Sequence, residues 1–233
     1  EQGNYEDNPI RCFALSKAAL WIEKATGWTP DIYHAHDWMA APLTSYLNAQ
    51  TSSKRKSRSV LTIHNLEHQG SFPEKIFSLS GLPPAFSGIE GFKHYNSMNF
   101  LKGGIQHADK ITTVSPTYSE EIRTQHYGQG LEKCLQYRGA DLIGILNGID
   151  ENSWNPENDY ALKNKINPSA PSKGKKANKI ELLQEMRLPV EDKNPVFGVV
   201  SRLYHQKGLD LLADALPELL SSSPKLQFVL LGS

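Results

Sequence analysis

The segment SRLYHQKG, residues 201–208, places two cationic side chains directly after an apolar run. Arg202 follows VFGVV, which is typical of a buried strand, and Lys207 lies at the predicted start of a helix. A guanidinium, an ammonium and the free N–H groups of a first helical turn make a receptor for phosphate. The same groups stabilise the charge of a phosphate that departs during a reaction. An exposed loop with ordinary surface charges is the alternative that the spacing leaves open.

Polar residues follow three other predicted strands in the same way. These segments are HAHDW (34–38), HNLEHQG (64–70) and LNGID (146–150). Taken singly, each has a simpler explanation: Asp37 as an N-cap, Asn147-Gly148 as a turn, and His34 as a hydrogen-bonded core histidine. Because the carboxyl ends of parallel strands meet at one edge of a sheet, the segments together predict a ligand site there.

Motifs for metal binding and nucleophilic catalysis are absent from the sequence. It contains no H-E-x-x-H, no nucleophile elbow and no D-x-D, so we expect neither a metal nor a cofactor. GQGLEK (128–133) only half resembles a phosphate loop and follows no clear strand, which favours a plain turn. The glycines of KGG (102–104) lie in an apolar setting and permit close packing or a backbone approach.

Alternating strands and helices must position these segments. The predicted strands are 31–36, 59–63, 110–115, 141–146, 196–201 and 227–231. The predicted helices are 11–27 (after an Asn8-Pro9 start), 37–50, 116–127, 179–187 and one from about 207. Pro217 should kink or divide the last of these. Strands separated by helices indicate an α/β protein with parallel sheets.

The composition of the chain changes after residue 150. Residues 151–179 are rich in Asn, Pro, Ser and Lys, which suits an exposed crossing between domains. We therefore divide the chain into a first domain at 1–148, a crossing with one helix at 149–192, and the start of a second domain at 193–233.

Composition excludes some partners. The 25 basic and 25 acidic side chains give zero formal charge, so neither nucleic acid nor an anionic membrane is expected as a partner. The apolar runs are too short to span a bilayer. Cys12 and Cys134 form no metal spacing and no disulfide framework, which indicates a reduced, intracellular compartment.

Five stretches resemble bacterial glycogen synthases and plant starch synthases. They are PDIYHAHDWMAAPLTSYL, VLTIHNLEHQGSF, FLKGGIQHADKITTVSPTYSEEI, GILNGIDENSWNP and VFGVVSRLYHQKGLDLLADALPELL. These synthases are retaining glucosyltransferases of the GT-B type, in glycosyltransferase family 5. The resemblance implies two Rossmann-like domains with doubly wound parallel sheets, both incomplete in this chain.

The resemblance also implies roles in the first domain. Asp37 would lie near the transferring glucose and Trp38 near the glucan acceptor, with Asn65 in the same cleft. His64 would contact the donor glucosyl group beside its anomeric carbon, and Asn147 would line the donor side.

In the second domain, Arg202 and Lys207 would grip the diphosphate of the nucleotide sugar. The implied catalytic set is Asp37, His64, Arg202 and Lys207. The implied reaction moves glucose from ADP-glucose to the non-reducing 4-OH of an α-1,4-glucan, with retention and without a metal. The implied partners are ADP-glucose and glycogen or starch, in the bacterial cytoplasm or the plastid stroma.

Some features depart from the family pattern. The glycine-rich KTGGL segment is absent, and Met39 stands where many bacterial members have histidine. We expect the 233-residue chain to be an internal part of a longer enzyme and inactive by itself. The alternatives are another GT-B enzyme that uses UDP-glucose, or a non-catalytic glucan-binding relative. A glycoside hydrolase is disfavoured because Asp37 has no obvious carboxylate partner.

Overall fold

The computed structural model describes residues 5–50 and 56–233. The chain forms two compact units, the first ending at Gly148 and the second comprising Ile149–Ser233. No helix among the described residues has the length and apolarity needed to cross a membrane.

The first unit alternates helices and strands. Its elements are α1 (Asn8–Leu20), α2 (Ile22–Thr26), β1 (Ile32–His36), α3 (Asp37–Ala40), α4 (Pro42–Asn48), β2 (Arg58–Ile63), β3 (Ser71–Pro73), β4 (Lys93–His94), β5 (Ser97–Asn99), α5 (Phe100–His107), β6 (Lys110–Thr113), α6 (Pro116–Glu121), α7 (Glu132–Tyr137) and β7 (Leu142–Gly144). Short 3-10 turns occupy Glu74–Leu79, Pro84–Ser87 and Gly139–Asp141.

A four-stranded parallel sheet is the centre of this unit, with the strand order β1-β2-β6-β7. The register sets Ala35 beside Leu61, Leu61 beside Ile111 and Ile111 beside Leu142. All four side chains are buried, so this row is the middle of the core. The predicted parallel α/β arrangement is confirmed, and every strand of the sheet ends at the same edge.

The glycines of α5 allow close helix packing. A Cβ at Gly104 would lie 2.6 Å from the Ala41 Cβ, and a Cβ at Gly103 would lie 2.7 Å from the Phe92 ring. Both glycines are buried. Of the two roles open to the KGG segment, the structure supports close packing.

Several helix boundaries differ from the prediction. The helix predicted over 11–27 begins at Asn8, in agreement with the predicted Asn8-Pro9 start, but it is interrupted at Trp21. The predicted 37–50 helix is split before Pro42. Proline has no N–H to donate to the preceding turn, so it begins α4 instead of continuing α3. A small antiparallel sheet in the order β3-β5-β4, built from residues 71–99, was not predicted.

The second unit contains α8 (Pro171–Glu185), β8 (Val196–Val200), α9 (Leu209–Ser222) and β9 (Gln227–Leu231). A 3-10 turn spans His205–Lys207. The helix predicted at 179–187 begins eight residues earlier, inside the stretch assigned to an exposed crossing. Its polar face carries ion pairs from Lys163 to Glu181 and from Lys176 to Asp192, contacts between distant residues that local composition does not reveal.

Strands β8 and β9 form a parallel pair in which the Phe197 and Phe228 rings stack with centroids 5.4 Å apart. The prediction of a buried strand at VFGVV is wrong: Phe197 is 53% exposed and Val200 is 80% exposed. An apolar run indicates that a strand can be buried, but two strands alone cannot cover both of their faces. Pro217 was predicted to kink or divide the last helix; α9 continues through it, so division, one of these two alternatives, is wrong.

Candidate functional site

The ends of β1 and β2 bring Asp37 and His64 together. Asp37 Oδ1 accepts a 2.7 Å hydrogen bond from the backbone N–H of His64. The imidazoles of His36 and His64 also meet, with His36 Nδ1 and His64 Nε2 3.0 Å apart. Since β1 and β2 are adjacent and parallel, residues that are 27 positions apart in the sequence become neighbours at the sheet edge.

The backbone of Asp37 is unusual. Its φ of 55° lies in the left-handed region, which only a few residue types besides glycine tolerate. Asp37 is the first residue of α3, the N-cap position belongs to His36, and no side chain caps the helix. The N-cap explanation for Asp37 is therefore wrong, and its carboxylate is instead directed to the neighbouring strand end. Such conformations are concentrated at functional sites.

A hydrogen-bonded row of side chains supports this edge. His34 Nε2 and Thr62 Oγ1 lie 2.6 Å apart, and Thr62 Oγ1 and Thr112 Oγ1 are separated by the same distance. Desolvation of its ring by the surrounding side chains is the largest cause that lowers the pKa of His34, and the neighbouring His36 and His64 lower it further. A lowered pKa favours the neutral imidazole at physiological pH. His34 is hydrogen-bonded, as the simpler explanation required, but its side chain is exposed and is not part of the core.

Trp38 forms one wall of a cavity of about 560 Å³ beside this edge. Trp38 is 9% exposed, and its ring packs against Phe72 and Phe100 with centroid distances of 5.8 and 6.4 Å. Gly70 lies against the indole: a Cβ there would be 2.8 Å from Trp38 Cδ2 and closer still to Cε3. Met39, the departure from the family pattern, lines the same cavity and is 51% exposed.

The loop that carries Asn65 is anchored from two sides. Asn65 Oδ1 accepts from the Glu67 N–H at 3.0 Å, and the Tyr118 hydroxyl accepts from the Leu66 N–H at 3.1 Å. Burial, first among its causes, raises the pKa of Tyr118, so this hydroxyl stays protonated. Tyr118 is a supporting residue that the sequence interpretation missed. It lies in the quoted ADKITTVSPTY stretch, but only the tertiary fold brings it to the loop.

Asn147 follows β7 and is exposed. One hydrogen bond continues the pairing of β7 with β6 past Gly144, the last residue of β7: the Ile145 N–H donates to the Thr113 carbonyl at 2.8 Å. Asn147 therefore lies just past the same sheet edge as Asp37 and His64. Its side chain has no hydrogen-bond partner within residues 5–50 and 56–233.

Arg202 and Lys207 lie in the second unit, on the loop between β8 and α9. The Ser201 N–H donates to the Leu231 carbonyl at 3.1 Å, and the Leu203 N–H donates to the Ser233 carbonyl at 3.0 Å. These bonds hold the loop beside the end of β9. Both cationic side chains are exposed, and in the part of the chain that the structure describes neither forms an ion pair. Lys207 lies just ahead of α9, which begins at Leu209.

A parallel sheet with polar strand ends, followed by a second α/β unit, is the arrangement expected of a protein of the GT-B class. The structure is similar to the catalytic domain of Starch Synthase IV from Arabidopsis thaliana, which was solved bound to ADP and acarbose. The TM-score is 0.88 at 34% sequence identity, and the match covers 99% of this chain and 48% of that one.

Sequence comparison identifies the family. Residues 1–137 match the starch synthase catalytic domain family. The chain is 42% identical over 235 residues to Glycogen synthase 2 of Geobacter sulfurreducens, and 44% identical over 237 residues to the glycogen synthase of Exiguobacterium sibiricum. The chain therefore belongs to the starch synthase catalytic domain family. It spans about half the length of these relatives, covering 48% of each.

Proposed function

We propose that the protein to which this chain belongs transfers glucose from ADP-glucose to the non-reducing end of an α-1,4-glucan, with retention of configuration. The observation that carries the proposal is the position of the Asp37 carboxylate. The backbone of Asp37 is in the left-handed region, and its carboxylate accepts a hydrogen bond from the His64 N–H. The cavity lined by Trp38 lies beside it. Family membership supports it, as does the neighbour solved with ADP and acarbose.

In this proposal the first unit handles the sugars. Asp37, Trp38 and Asn65 face the glucan acceptor, while His64 and Asn147 contact the donor. A neutral amide and an imidazole supply hydrogen-bond donors and acceptors that match sugar hydroxyls. Held by the His64 N–H, the Asp37 carboxylate places a negative charge where positive charge develops on the transferring sugar.

Arg202 and Lys207 bind the diphosphate. Their unpaired exposed side chains offer two positive charges to a ligand without first breaking an ion pair. As the glycosidic bond to phosphate breaks, these charges stabilise the departing ADP. The acceptor hydroxyl attacks from the side of the leaving phosphate, whose oxygen takes the proton, so no separate general base is required.

No metal takes part in this mechanism, and no nucleic acid or membrane partner is needed. The described residues contain no group of three or more His, Cys, Asp or Glu side chains placed to hold a metal ion. The absence of a metal requirement stays a prediction, and turnover in the presence of a chelator tests it. The corresponding compartment is the bacterial cytoplasm or the plastid stroma.

Donor choice is the first test of the proposal. We expect the full-length protein to incorporate glucose into glycogen from ADP-glucose about tenfold or more faster than from UDP-glucose at equal concentration. Radiolabelled glucose in precipitated glycogen measures both rates. Preference for UDP-glucose would support the alternative of another GT-B enzyme that uses this donor. Folded protein that uses neither donor would favour the non-catalytic glucan-binding alternative.

Gly70 tests the acceptor role of Trp38. In Gly70→Ala the new methyl group overlaps the indole, and the φ of 65° is strained for alanine, so Trp38 must move. We expect the KM for glycogen to rise about tenfold, with the KM for ADP-glucose changed much less. Gly139→Ala is the matched control, because a Cβ there meets no atom within 4 Å. Equal changes in both KM values would argue against an acceptor role for this wall.

A further inference from the structure

The end of β1 contacts His64 through two consecutive residues. Asp37 accepts a hydrogen bond from the backbone N–H of His64, and His36 Nδ1 lies 3.0 Å from Nε2 of the His64 ring. The centroids of the two imidazoles are 5.3 Å apart, with an angle of 34° between the ring planes. The two contacts hold different parts of one residue, because Asp37 fixes the backbone of His64 and His36 contacts its side chain.

His36 is itself supported from the opposite side. Its ring packs against the His34 ring, with centroids 4.2 Å apart and an angle of 32° between the planes. The His34 ring is anchored in turn, because its Nε2 lies 2.6 Å from Thr62 Oγ1, which also lies 2.6 Å from Thr112 Oγ1. A side chain whose neighbours are ordered in this way has few orientations open to it, and it can order the next side chain.

The distance between His36 and His64 also restricts which ring nitrogens carry hydrogen. One hydrogen atom lies between His36 Nδ1 and His64 Nε2, because two N–H groups or two lone pairs would repel each other there. Whichever ring donates, Nε2 of His64 is used within the pair. Its Nδ1 remains available to a ligand, since it forms no hydrogen bond with any residue that the structure describes. The tautomers of the two rings are therefore coupled.

The pair is poorly explained as a contribution to stability. His34, His36 and His64 are all exposed, so none of the three rings fills the core. A hydrogen bond at the surface adds little to the free energy of unfolding, because water replaces it in the unfolded chain. An exposed ring that is held in one orientation before a ligand arrives loses less conformational freedom on binding. The arrangement therefore suits ligand binding better than folding.

We infer that His36 is a positioning residue, which holds the His64 ring in one orientation and directs Nδ1 of His64 to the glucosyl group of the donor. The inference rests on the proposed function, in which His64 contacts the donor. His36 acts through His64 and needs no contact with the substrate. A His64 ring that is free to rotate would make its donor contact only part of the time, which would slow the transfer step.

The test compares His36→Phe with His36→Asn in the full-length protein. Phenylalanine keeps a ring that packs against His34 but removes the nitrogen. Asparagine carries an oxygen and a nitrogen on Cγ, where histidine carries Nδ1, so it restores a hydrogen-bonding atom facing His64. We expect His36→Phe to lower kcat with ADP-glucose about tenfold and to leave the KM for glycogen within about twofold. We expect His36→Asn to keep kcat within about threefold of the wild type.

His126→Phe is the matched control for this substitution. His126 is an exposed histidine between α6 and α7, and its ring contacts Tyr127. This variant should have the kcat and both KM values of the wild type. Crystal structures of the full-length variants add a measurement that a general loss of stability would not change. The His64 ring should keep its orientation in His36→Asn and His126→Phe, and should rotate or become disordered in His36→Phe.

A wild-type orientation of the His64 ring in His36→Phe would overturn the inference. So would equal losses of kcat in His36→Phe and His36→Asn together with a lower Tm, because His36 would then have a structural role only. The orientation of the ring is determined without turnover. Wild-type protein that uses no donor therefore refutes the proposed function, while wild-type kcat in His36→Phe refutes this inference and leaves the proposed function standing.

Discussion

Lys207→Ala should lower kcat for transfer from ADP-glucose by about 10²- to 10³-fold in the full-length protein. The ammonium is exposed and, in the described part of the chain, unpaired, so the variant breaks no ion pair and its Tm should be unchanged. The variant loses a positive charge that interacts with the diphosphate. This interaction is stronger in the transition state than in the bound donor, because negative charge grows on the diphosphate as it departs. Initial rates at saturating ADP-glucose measure the effect.

Two further variants make the Lys207 test specific. Lys207→Arg keeps the positive charge and should recover part of the activity, although the planar guanidinium differs in shape. Lys225→Ala removes another exposed lysine of the same unit, which is distant in sequence from the β8–α9 loop, and should leave kcat unchanged. If Lys207→Ala retained half of the wild-type rate, Lys207 would not bind the diphosphate, and the β8–α9 loop would be an exposed loop with ordinary surface charges.

Asp37→Asn should reduce kcat by about 10²-fold with little change in Tm. Asparagine also tolerates the left-handed backbone and keeps an oxygen that accepts from the His64 N–H, so this variant removes the charge and retains the geometry. The negative charge is the part that opposes positive charge on the transferring sugar. Rates with ADP-glucose measure the loss of activity, and thermal unfolding of the same samples shows whether stability has changed.

Asp37→Ala should lose more activity than Asp37→Asn and should also lower the Tm. Alanine removes the acceptor for the His64 N–H and has no side chain to compensate the φ of 55°, a strain of roughly 1–2 kcal/mol. Asp31→Asn is the control, because Asp31 is an exposed residue directly before β1, the strand that Asp37 follows. If Asp37→Asn had wild-type activity, Asp37 would be a positioning residue for His64 and its charge would be irrelevant.

The parallel α/β fold was predictable because short strand patterns alternate with helix patterns along the chain. Strands β1 (Ile32–His36) and β2 (Arg58–Ile63) lie within one residue of their predicted bounds. The predicted helix boundaries were wrong where contacts between residues distant in the sequence determine them. Helix α8 begins early with support from Lys163 and Asp192, and β8 is exposed although its composition is that of a buried strand.

The sequence also located the candidate site, because polar residues at the ends of apolar strands must lie on one edge of a parallel sheet. It could not show how those residues are used. Asp37 resembles an ordinary N-cap in the sequence, and Tyr118 and Gly70 are not distinguished by their neighbours.

By itself, then, the sequence determined the fold class, the family resemblance and the sheet edge that carries Asp37, His64 and Asn147. Only the tertiary structure decided that the Asp37 carboxylate binds the His64 N–H, that Gly70 supports Trp38, and that the His36 ring contacts the His64 ring. The physical reason is that periodicity and composition are local properties of the chain. Hydrogen bonds and ring contacts between residues tens of positions apart depend on strand register and on backbone conformations that no local pattern encodes.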